Sequence, residues 1–550
     1  MLTYRFLEVL EIEVHEVTLE KTTKIILAVA GLNAALFSWF SSFVAEDAYI
    51  VYRYSENLAN GNGLVFNSGE YVSALTSPLH SLIVSVVYFL SGESVWSNRI
   101  LALLLYFGST VYAYRILGKD RMLGLYGLLV WVSPYAIFWI AGGLETMFLS
   151  SFLTVAFVAA CQCTSKFSKR NQFTFSICLG LAFLTRFDSC LVTLPMWFHV
   201  ASRQWRLGET QKSWTIIRLL LPGLLLAVVW LATGYVYYHD IFPTSVFHKP
   251  ARWDHQRTNV LYMIQFGLFS GLLPLLGWAV ISHSGHASSH PLGRVFKTTV
   301  KQYWGTLIGG LIFFGYSTGT ATAHMMFSYR MLLPYLPILA IIVIKLMDNL
   351  HVDCLTSGRF GNRGWKLVLA LAVTVQGVQF YYIDQVSVNP GRYGEYTNLS
   401  RQTYMEFIDI LKQQAGTINR HWAQQGQDRD PQIHVYAAGV LPYNLERSKV
   451  VDWGLVSYRK EVKVNATQRG LLYSSDYIIT LTPRHFTKKH QLQRNPESLE
   501  LIDEQRLAGF DHADDRLETF SVFFNPSPID YALPEFVDGP ELTPIPEKIE

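Results

Sequence analysis

Residues 24–384 alternate between long apolar runs and short polar stretches, and the run lengths set the class of protein. Runs of membrane length, or close to it, lie at 24–44, 98–117, 122–141, 145–163, 172–201, 215–237, 258–282, 303–323, 328–347 and 365–384. A helix needs about 20 apolar residues to cross a bilayer, so each of these predicts a spanning element. The 172–201 run is longer than one span requires and is interrupted by Arg186-Phe187-Asp188, which predicts two helices joined by a hairpin. Residues 78–91 are short for a span and predict a re-entrant or interfacial helix. Beyond residue 385 the pattern changes to charged, Pro-containing sequence with no membrane-length run. There the stretches Ile433–Gly439, Lys449–Trp453, Asp476–Thr480 and Thr519–Phe524 read as strands, and 400–424 and 440–447 as helices. The expected architecture is therefore a polytopic α-helical membrane domain followed by a small α/β domain.

Composition agrees. Half of the chain is hydrophobic and only 16% is charged, against about a quarter for an average soluble protein. The net charge of +3, with Lys and Arg dispersed between apolar runs, gives no nucleic-acid surface. All five cysteines lie in or beside apolar segments, which argues against a disulfide framework or a Cys-based zinc site. The first run is too long for a signal peptide and its leader is acidic, so it reads as an uncleaved anchor.

The basic loops Lys119/Arg121, Lys166–Arg170, Arg203–Arg218, Arg294–Lys301 and Arg359–Lys366 set the orientation. If all are cytoplasmic, as the positive-inside rule prefers, two spans separate each from the next. The count comes to about 11 spans with the N-terminus inside and the C-terminus outside, provided residues 78–91 do not cross. The polar islands Glu46–Pro78, Gly142–Thr146, Arg186–Asp188, His239–Asn259 and His324–Arg330 then share the outer face. The domain boundaries that follow are a cytoplasmic leader at 1–23, a transmembrane domain at 24–384 with its first outer loop at 45–97, an extracytoplasmic α/β domain at 385–533 and a disordered tail at 534–550.

The first of those islands carries a resemblance. It reads Glu-Asp-Ala-Tyr-Ile from Glu46, continues through Arg53-Tyr54 and Asn57-Leu58-Ala59, and ends Gly61-Asn62-Gly63-Leu64-Val65-Phe66-Asn67-Ser68-Gly69-Glu70. This resembles the first outer loop of the GT-C glycosyltransferases, in particular the terminal arabinofuranosyltransferases of mycobacterial cell-wall synthesis and their bacterial relatives. Further agreement runs in order through Gly142–Thr146, Leu184-Thr185-Arg186, Phe242-Pro243-Thr244 with Lys249, Tyr329–Pro334, Ala438–Tyr443 and Val451-Asp452. The family usually has two aspartates where this chain has Glu46-Asp47. Relatives often carry an aspartate six positions before the Arg matched by Arg330, where this chain has His324. The resemblance implies a GT-C-like fold in the bacterial inner membrane. It also implies a polyprenyl-phosphate-linked sugar as donor, and inverting transfer to an acceptor hydroxyl of a cell-envelope glycan or surface protein.

Such a displacement needs a base for the acceptor proton and positive charge for the leaving phosphate. Asp47, at the edge of the first apolar run, is the expected base. Glu46 shares that role or orients Asp47, and adjacent carboxylates raise one another's pKa. The competing reading is an acidic helix N-terminus, favourable with the helix dipole. Arg330 grips the phosphate or is an interfacial snorkelling residue. Lys249, with His248 beside it, is a second phosphate candidate or a solvated loop lysine. Arg53 and Asn57 share a helix face and brace the loop or contact the acceptor. Glu145 caps a helix or binds donor hydroxyls, and Arg186 and Asp188 bind substrate or pair with each other. His324 is a base partner, a metal ligand or an interface residue. A divalent cation held by Glu46, Asp47 and His324 is compatible with these donors, though no spacing demands one. Two other classes fit the composition: a flippase of lipid-linked sugars, and an O-antigen-type polymerase or ligase. The absence of paired repeats disfavours the first. The position of the polar loop directly after the first run disfavours the second.

Overall fold

The computed structural model describes residues 16–118, 120–165, 168–206, 212–248, 256–284, 292–320, 328–350, 359–385, 401–435, 438–452, 456, 475–483, 500–507 and 518–526. Residues 1–15 of the leader and the tail after residue 526, including the expected disordered segment, fall outside them, and the rest of the leader is the start of the first helix.

The chain opens with α1 (Glu16–Phe40), α2 (Glu46–Ala59), α3 (Pro78–Ser91), α4 (Val95–Tyr112) and the single turn α5 (Tyr114–Leu117). Next come α6 (Asp120–Tyr126), a π turn at Gly127–Trp131, α7 (Pro134–Gly142) and α8 (Thr146–Ser165). Pro134 has no N–H to give and disfavours helix at the residue before it, so the 122–141 run breaks at Val132-Ser133 and bends by 49°. The 172–201 run is two helices, α9 (Lys169–Thr185) and α10 (Cys190–Arg206), joined through a 3₁₀ turn at Phe187–Ser189. There follow α11 (Lys212–Tyr238), α12 (Ser245–His248), α13 (Gln256–Phe269), α14 (Leu272–Ser284), α15 (Leu292–Thr320), α16 (Leu336–Asn349) and α17 (Arg359–Gln385). The 258–282 run is broken at Ser270-Gly271 into α13 and α14, bent by 68°. The apolar helix expected to open near Arg330 instead begins at Leu336, after a 3₁₀ turn at Leu333–Tyr335.

Among the described residues four helices are long and apolar enough to cross a membrane, or six if each bent pair is one span. Burial sorts them into a centre and a rim. In α8, 78% of the apolar window is buried inside the protein, against 17% in α11, whose Leu221, Leu225, Val229 and Val236 are exposed. Exposed apolar stripes of this length belong against lipid. The 14-residue α3 shows the same inversion, burying His80, Ser81 and Ser85 against its neighbours while Val86, Phe89 and Leu90 face outward.

After α17 comes the C-terminal α/β domain: α18 (Arg401–Gln425), β1 (Gln432–His434), α19 (Val440–Tyr443), β2 (Lys449–Val451), β3 (Tyr477–Pro483), β4 (Glu500–Leu507) and β5 (Glu518–Phe524). The sheet order is β2-β1-β3-β5-β4, with β1 parallel to β2 and β3, and β5 antiparallel to β3 and β4. Tyr477 and Phe524 pack under His421 and Trp422 of α18, which closes the sheet's core.

Helices α9 and α11 approach closely because Gly180 and Gly223 face one another. A Cβ on Gly223 would lie 2.2 Å from the Ser176 carbonyl oxygen, in contact with backbone that cannot rotate away. Small residues permit this approach between membrane helices. Gly223→Ala should therefore lower the thermal midpoint in detergent, with a cost of about 1–3 kcal/mol. Gly310→Ala, where a Cβ meets nothing within 4 Å, serves as the control. Equal midpoints for the two variants would show that the α9–α11 contact is not tight.

Candidate active site

Three turns meet at one carboxylate. Glu145 lies between α7 and α8, and its side chain is 3% exposed. Its Oε1 accepts from Arg186 Nη1 at 2.9 Å and from Arg330 Nη2 at 3.4 Å. Arg186, in the turn between α9 and α10, also grips Asp188 with both arms of its fork, at 3.0 and 2.7 Å. Arg330 reaches on to Asp47 in the first turn of α2, Nη1 to Oδ2 at 3.3 Å. Burial by itself would raise the Glu145 carboxyl, but Arg330 and Arg186 overcome that and hold it down at about 2. Burial alone would lower Arg186, but Asp188 and Glu145 outweigh it and raise the guanidinium above its ordinary value.

Local backbone sets these positions. Gly143 occupies the left-handed region at φ +77°, and a Cβ there would sit 2.0 Å from the Tyr52 hydroxyl, so the α7–α8 turn that presents Glu145 requires glycine. Asn98 of α4 donates to the Gly143 carbonyl at 2.8 Å and accepts from Nε2 of the buried His80 at 2.9 Å. Ser328 and Tyr329, directly before Arg330, also have positive φ, at 44° and 59°. Neither is a glycine, so the turn stores strain that the surrounding aromatic packing holds in place. The Tyr329 ring is clasped by Tyr135, Tyr262 and Phe266. Arg330 lies 5.6 Å from the Trp139 ring centre, and its Nε has no hydrogen-bond partner among the described residues.

Asp47 is the open member of the group, with 59% of its side chain exposed. Glu46 points the other way. Its carboxyl oxygen accepts the backbone N–H of Gly439 and of Val440, the latter at 3.2 Å, and its own N–H donates to the Tyr404 hydroxyl at 2.7 Å. Loss of water around the carboxyl, and then the Asp47 charge, raise Glu46 to about 8 against the pull of those two N–H groups. Arg99 pins the approach to both residues. Its buried guanidinium donates to Ser41 O at 2.8 Å, Ala141 O at 2.6 Å and Phe43 O, at the C-terminal ends of α1 and α7 where cations are favoured.

Of the residues singled out in the sequence, Asp47, Glu145, Arg186 and Arg330 meet in one chain of contacts, and Glu46 turns its side chain away from it. Arg53 lies elsewhere, donating to Phe66 O at 2.9 Å, Pro442 O at 2.6 Å and Ser448 O at 3.0 Å. Asn57 donates to Val65 O at 2.9 Å and Phe66 O at 3.1 Å. Both hold the glycine-rich loop in shape. His248 ends α12 with its side chain outside the described part, and Lys249 and His324 fall outside the described residues altogether. Among the described residues no group of three or more His, Cys, Asp or Glu side chains is placed to hold a metal ion. His80, Asn98, Tyr404 and Gly439 were not singled out in the sequence. Only Gly439 had a signal there, as part of the Ala438–Tyr443 stretch that resembles the family's outer domain.

The chain is similar to proteins of known sequence and structure. No protein-family profile matches the chain. It is 27% identical over 255 residues to the terminal β-(1→2)-arabinofuranosyltransferase of Mycobacterium tuberculosis, covering 42% of this chain and 39% of that protein. It is 36% identical over 80 residues to the enzyme of the same name from Corynebacterium glutamicum, covering 14% of this chain and 12% of that protein. The chain thus spans about two fifths of the length of the first relative and about an eighth of the second. In structure it is similar to ArnT from Cupriavidus metallidurans, solved with undecaprenyl phosphate bound, with TM-score 0.53, 13% identity and coverage of 91% of this chain and 98% of that one. The apo form of ArnT gives TM-score 0.52 over the same coverage. The fold is similar to that of ArnT, and the partial sequence similarity to arabinofuranosyltransferases stands beside it.

The raised Glu46 has a signature in stability. A carboxyl with a higher pKa in the folded than in the unfolded state stabilises fully below its unfolded value of about 4.3. That contribution is lost as the pH rises to and through about 8. Glu46→Gln removes the titration. The thermal midpoint of wild type should therefore fall relative to Glu46→Gln between about pH 5 and about pH 8, then level off. A constant difference across that range would show that Glu46 ionises as freely as in water.

Proposed function

We propose that the chain is an inverting membrane glycosyltransferase, moving a sugar from a polyprenyl-phosphate donor to an acceptor hydroxyl of a cell-envelope glycan or surface protein. The observation that carries the reading is the pairing of an exposed carboxylate, Asp47, with a guanidinium, Arg330, beside apolar helices of membrane length. A base and a phosphate partner within reach of one another are what displacement at an anomeric carbon requires. The unpartnered Arg330 Nε–H supplies a donor for an incoming phosphate oxygen. The shared fold with ArnT, which binds undecaprenyl phosphate, and the similarity to arabinofuranosyltransferases support the donor class. On this reading Asp47 takes the acceptor proton, Arg330 with Lys249 receives the phosphate, and Glu145 and Arg186 hold Arg330 in place. His248 and His324 border the substrates, and Arg53 and Asn57 brace the loop that follows Asp47. The membrane domain has about 11 spans in the inner membrane, and the polar turns and the C-terminal domain lie outside the cytoplasm. A flippase reading draws on the two bent helix pairs, since broken helices are common in transporters.

The deciding assay uses purified protein, a polyprenyl-phosphoryl pentose or hexose and a crude acceptor extract. Wild type should transfer or hydrolyse the sugar. Asp47→Asn should lose about 10²–10⁴-fold in rate with donor binding retained. Arg330→Lys keeps the charge but not the fork, so kcat should fall further than donor affinity. Movement of the lipid-linked sugar across vesicles with no transfer by wild type would favour the flippase instead.

Sidedness is a separate measurement. In a background free of native cysteines, Ser68→Cys, Asp254→Cys and Ser474→Cys should react with an impermeant thiol reagent from outside the cell, and Ser213→Cys should not. Outside labelling of Ser213→Cys would invert the topology.

A further inference from the structure

The reaction centre proposed above depends on contacts from residues nearly four hundred positions downstream. The stretch from Trp39 to Glu46 is held at successive points by the C-terminal domain. Arg401 donates to Ser42 Oγ at 3.3 Å and lies 5.8 Å from the Trp39 ring centre. Tyr404 packs its ring 5.3 Å from that of Phe43 and accepts the Glu46 N–H through its hydroxyl. The Gly439–Val440 turn, at the start of α19, gives both N–H groups to the Glu46 carboxyl. The fit at that turn leaves no room: a Cβ on Gly439 would lie 2.0 Å from the Glu46 carbonyl oxygen and 2.5 Å from its Oε1. Glu46 and Asp47 are adjacent in the first turn of α2, so anchoring Glu46 fixes the direction in which Asp47 leaves the helix.

We propose that the C-terminal domain is a working part of the reaction centre. Its Gly439–Val440 turn and Tyr404 seat Glu46 as a positioning residue, so that Asp47 alone is presented beside Arg330. The inference rests on the reading of Asp47 as the base, and it assigns Glu46 a task that needs an acceptor oxygen rather than a charge. It also explains why an acidic pair at this point need not be a pair of bases: one carboxyl is committed to the C-terminal domain and the other faces Arg330.

The test is made on the full chain. Gly439→Ala forces the turn away from Glu46, and a displacement of about an ångström costs on the order of 10²-fold in rate. The expected result is a kcat loss of about that size with donor KM within about threefold, in protein that keeps its elution position and most of its thermal midpoint. Glu46→Ala should lose about as much, because it deletes the acceptor for both N–H groups. Glu46→Gln retains an oxygen for them and should recover at least about tenfold over Glu46→Ala. Wild-type kcat in Gly439→Ala, or Glu46→Gln no better than Glu46→Ala, overturns the proposal. If Gly439→Ala does not fold, Tyr404→Phe takes its place. Loss of one hydroxyl should then reduce kcat by about 3–10-fold, and an unchanged kcat overturns the proposal equally.

A readout independent of turnover separates this inference from the functional reading. In a background without native cysteines, Asp47→Cys is labelled by a thiol reagent with and without Gly439→Ala or Tyr404→Phe. A change of more than about threefold in labelling rate supports seating by the C-terminal domain, and equal rates refute it. If wild type transfers no sugar at all, the glycosyltransferase reading fails while the labelling result still decides whether Glu46 is a strut.

Discussion

A carboxylate buried among apolar helices must find positive charge, and Glu145 finds two guanidiniums. Both partners are largely out of water, with 18% of the Arg186 side chain and 13% of the Arg330 side chain exposed. Removing one member of such a group would strand the others in a medium where unpaired charge is costly, on the order of 3–5 kcal/mol. The contact therefore fixes three separate turns relative to one another: α7–α8 through Glu145, α9–α10 through Arg186, and the strained turn before α16 through Arg330. The helices behind those turns are apolar and packed by non-directional contact, which fixes spacing well and register poorly. The directional part of the assembly is the ion chain and the neutral network beneath it, from His80 through Asn98 to the Gly143 carbonyl.

The second fixed point is the seam between the membrane domain and the C-terminal domain, where directional polar bonds accompany the aromatic contacts of Tyr404 and Tyr443. Asn67 accepts from Val450 N at 3.0 Å and donates to Val450 O at 2.8 Å, so the glycine-rich loop borders β2 as a further strand would. Arg53 reaches the Pro442 carbonyl of α19 and the Ser448 carbonyl just before β2, and Glu56 accepts from the Tyr443 hydroxyl at 2.6 Å. Lys449 pairs with Glu70 at 3.0 Å. A seam built from directional bonds resists sliding in a way that an apolar seam of equal area does not. The loop most distinctive in the sequence thus takes much of its shape from the domain that follows the membrane region.

Legibility in the sequence tracks the range of the forces involved. Apolar runs depend on burial of whole segments, so most helices were readable from run length, and the Arg186-Phe187-Asp188 interruption marked a true turn. The breaks at Val132-Ser133 and Ser270-Gly271 were hidden because one Pro or Gly inside an apolar run changes its hydropathy little. The charged members of the site were legible because Asp, Glu and Arg at the edge of an apolar run are costly unless paired. Their connections were not. Glu145 to Arg330 spans 185 positions, and Asp47 to Arg330 spans 283. The strand β4 escaped because four of its eight residues are charged, as suits a sheet edge, where it lies. Tyr404 left no trace, since a tyrosine on an amphipathic helix is ordinary until its hydroxyl meets a particular N–H.

The charges of the site bear on how a donor would enter it. Arg186 and Arg330 face three carboxylates, those of Asp47, Glu145 and Asp188, so the described cluster is negative by one charge even with Glu46 protonated. A phosphate approaching such a group is not drawn by net charge. It must take a share of one guanidinium, and Arg186 is committed to two carboxylates by bonds of 3.0 Å or less, whereas both contacts of Arg330 are longer, at 3.3 and 3.4 Å. Arg330 is therefore the guanidinium open to exchange, and Asp47, the more exposed of its two partners, is the one to be displaced. On the proposed reading the two roles are coupled through this exchange. The phosphate that occupies Arg330 takes the place of Asp47 in its ion pair and leaves that exposed carboxylate open to an acceptor hydroxyl.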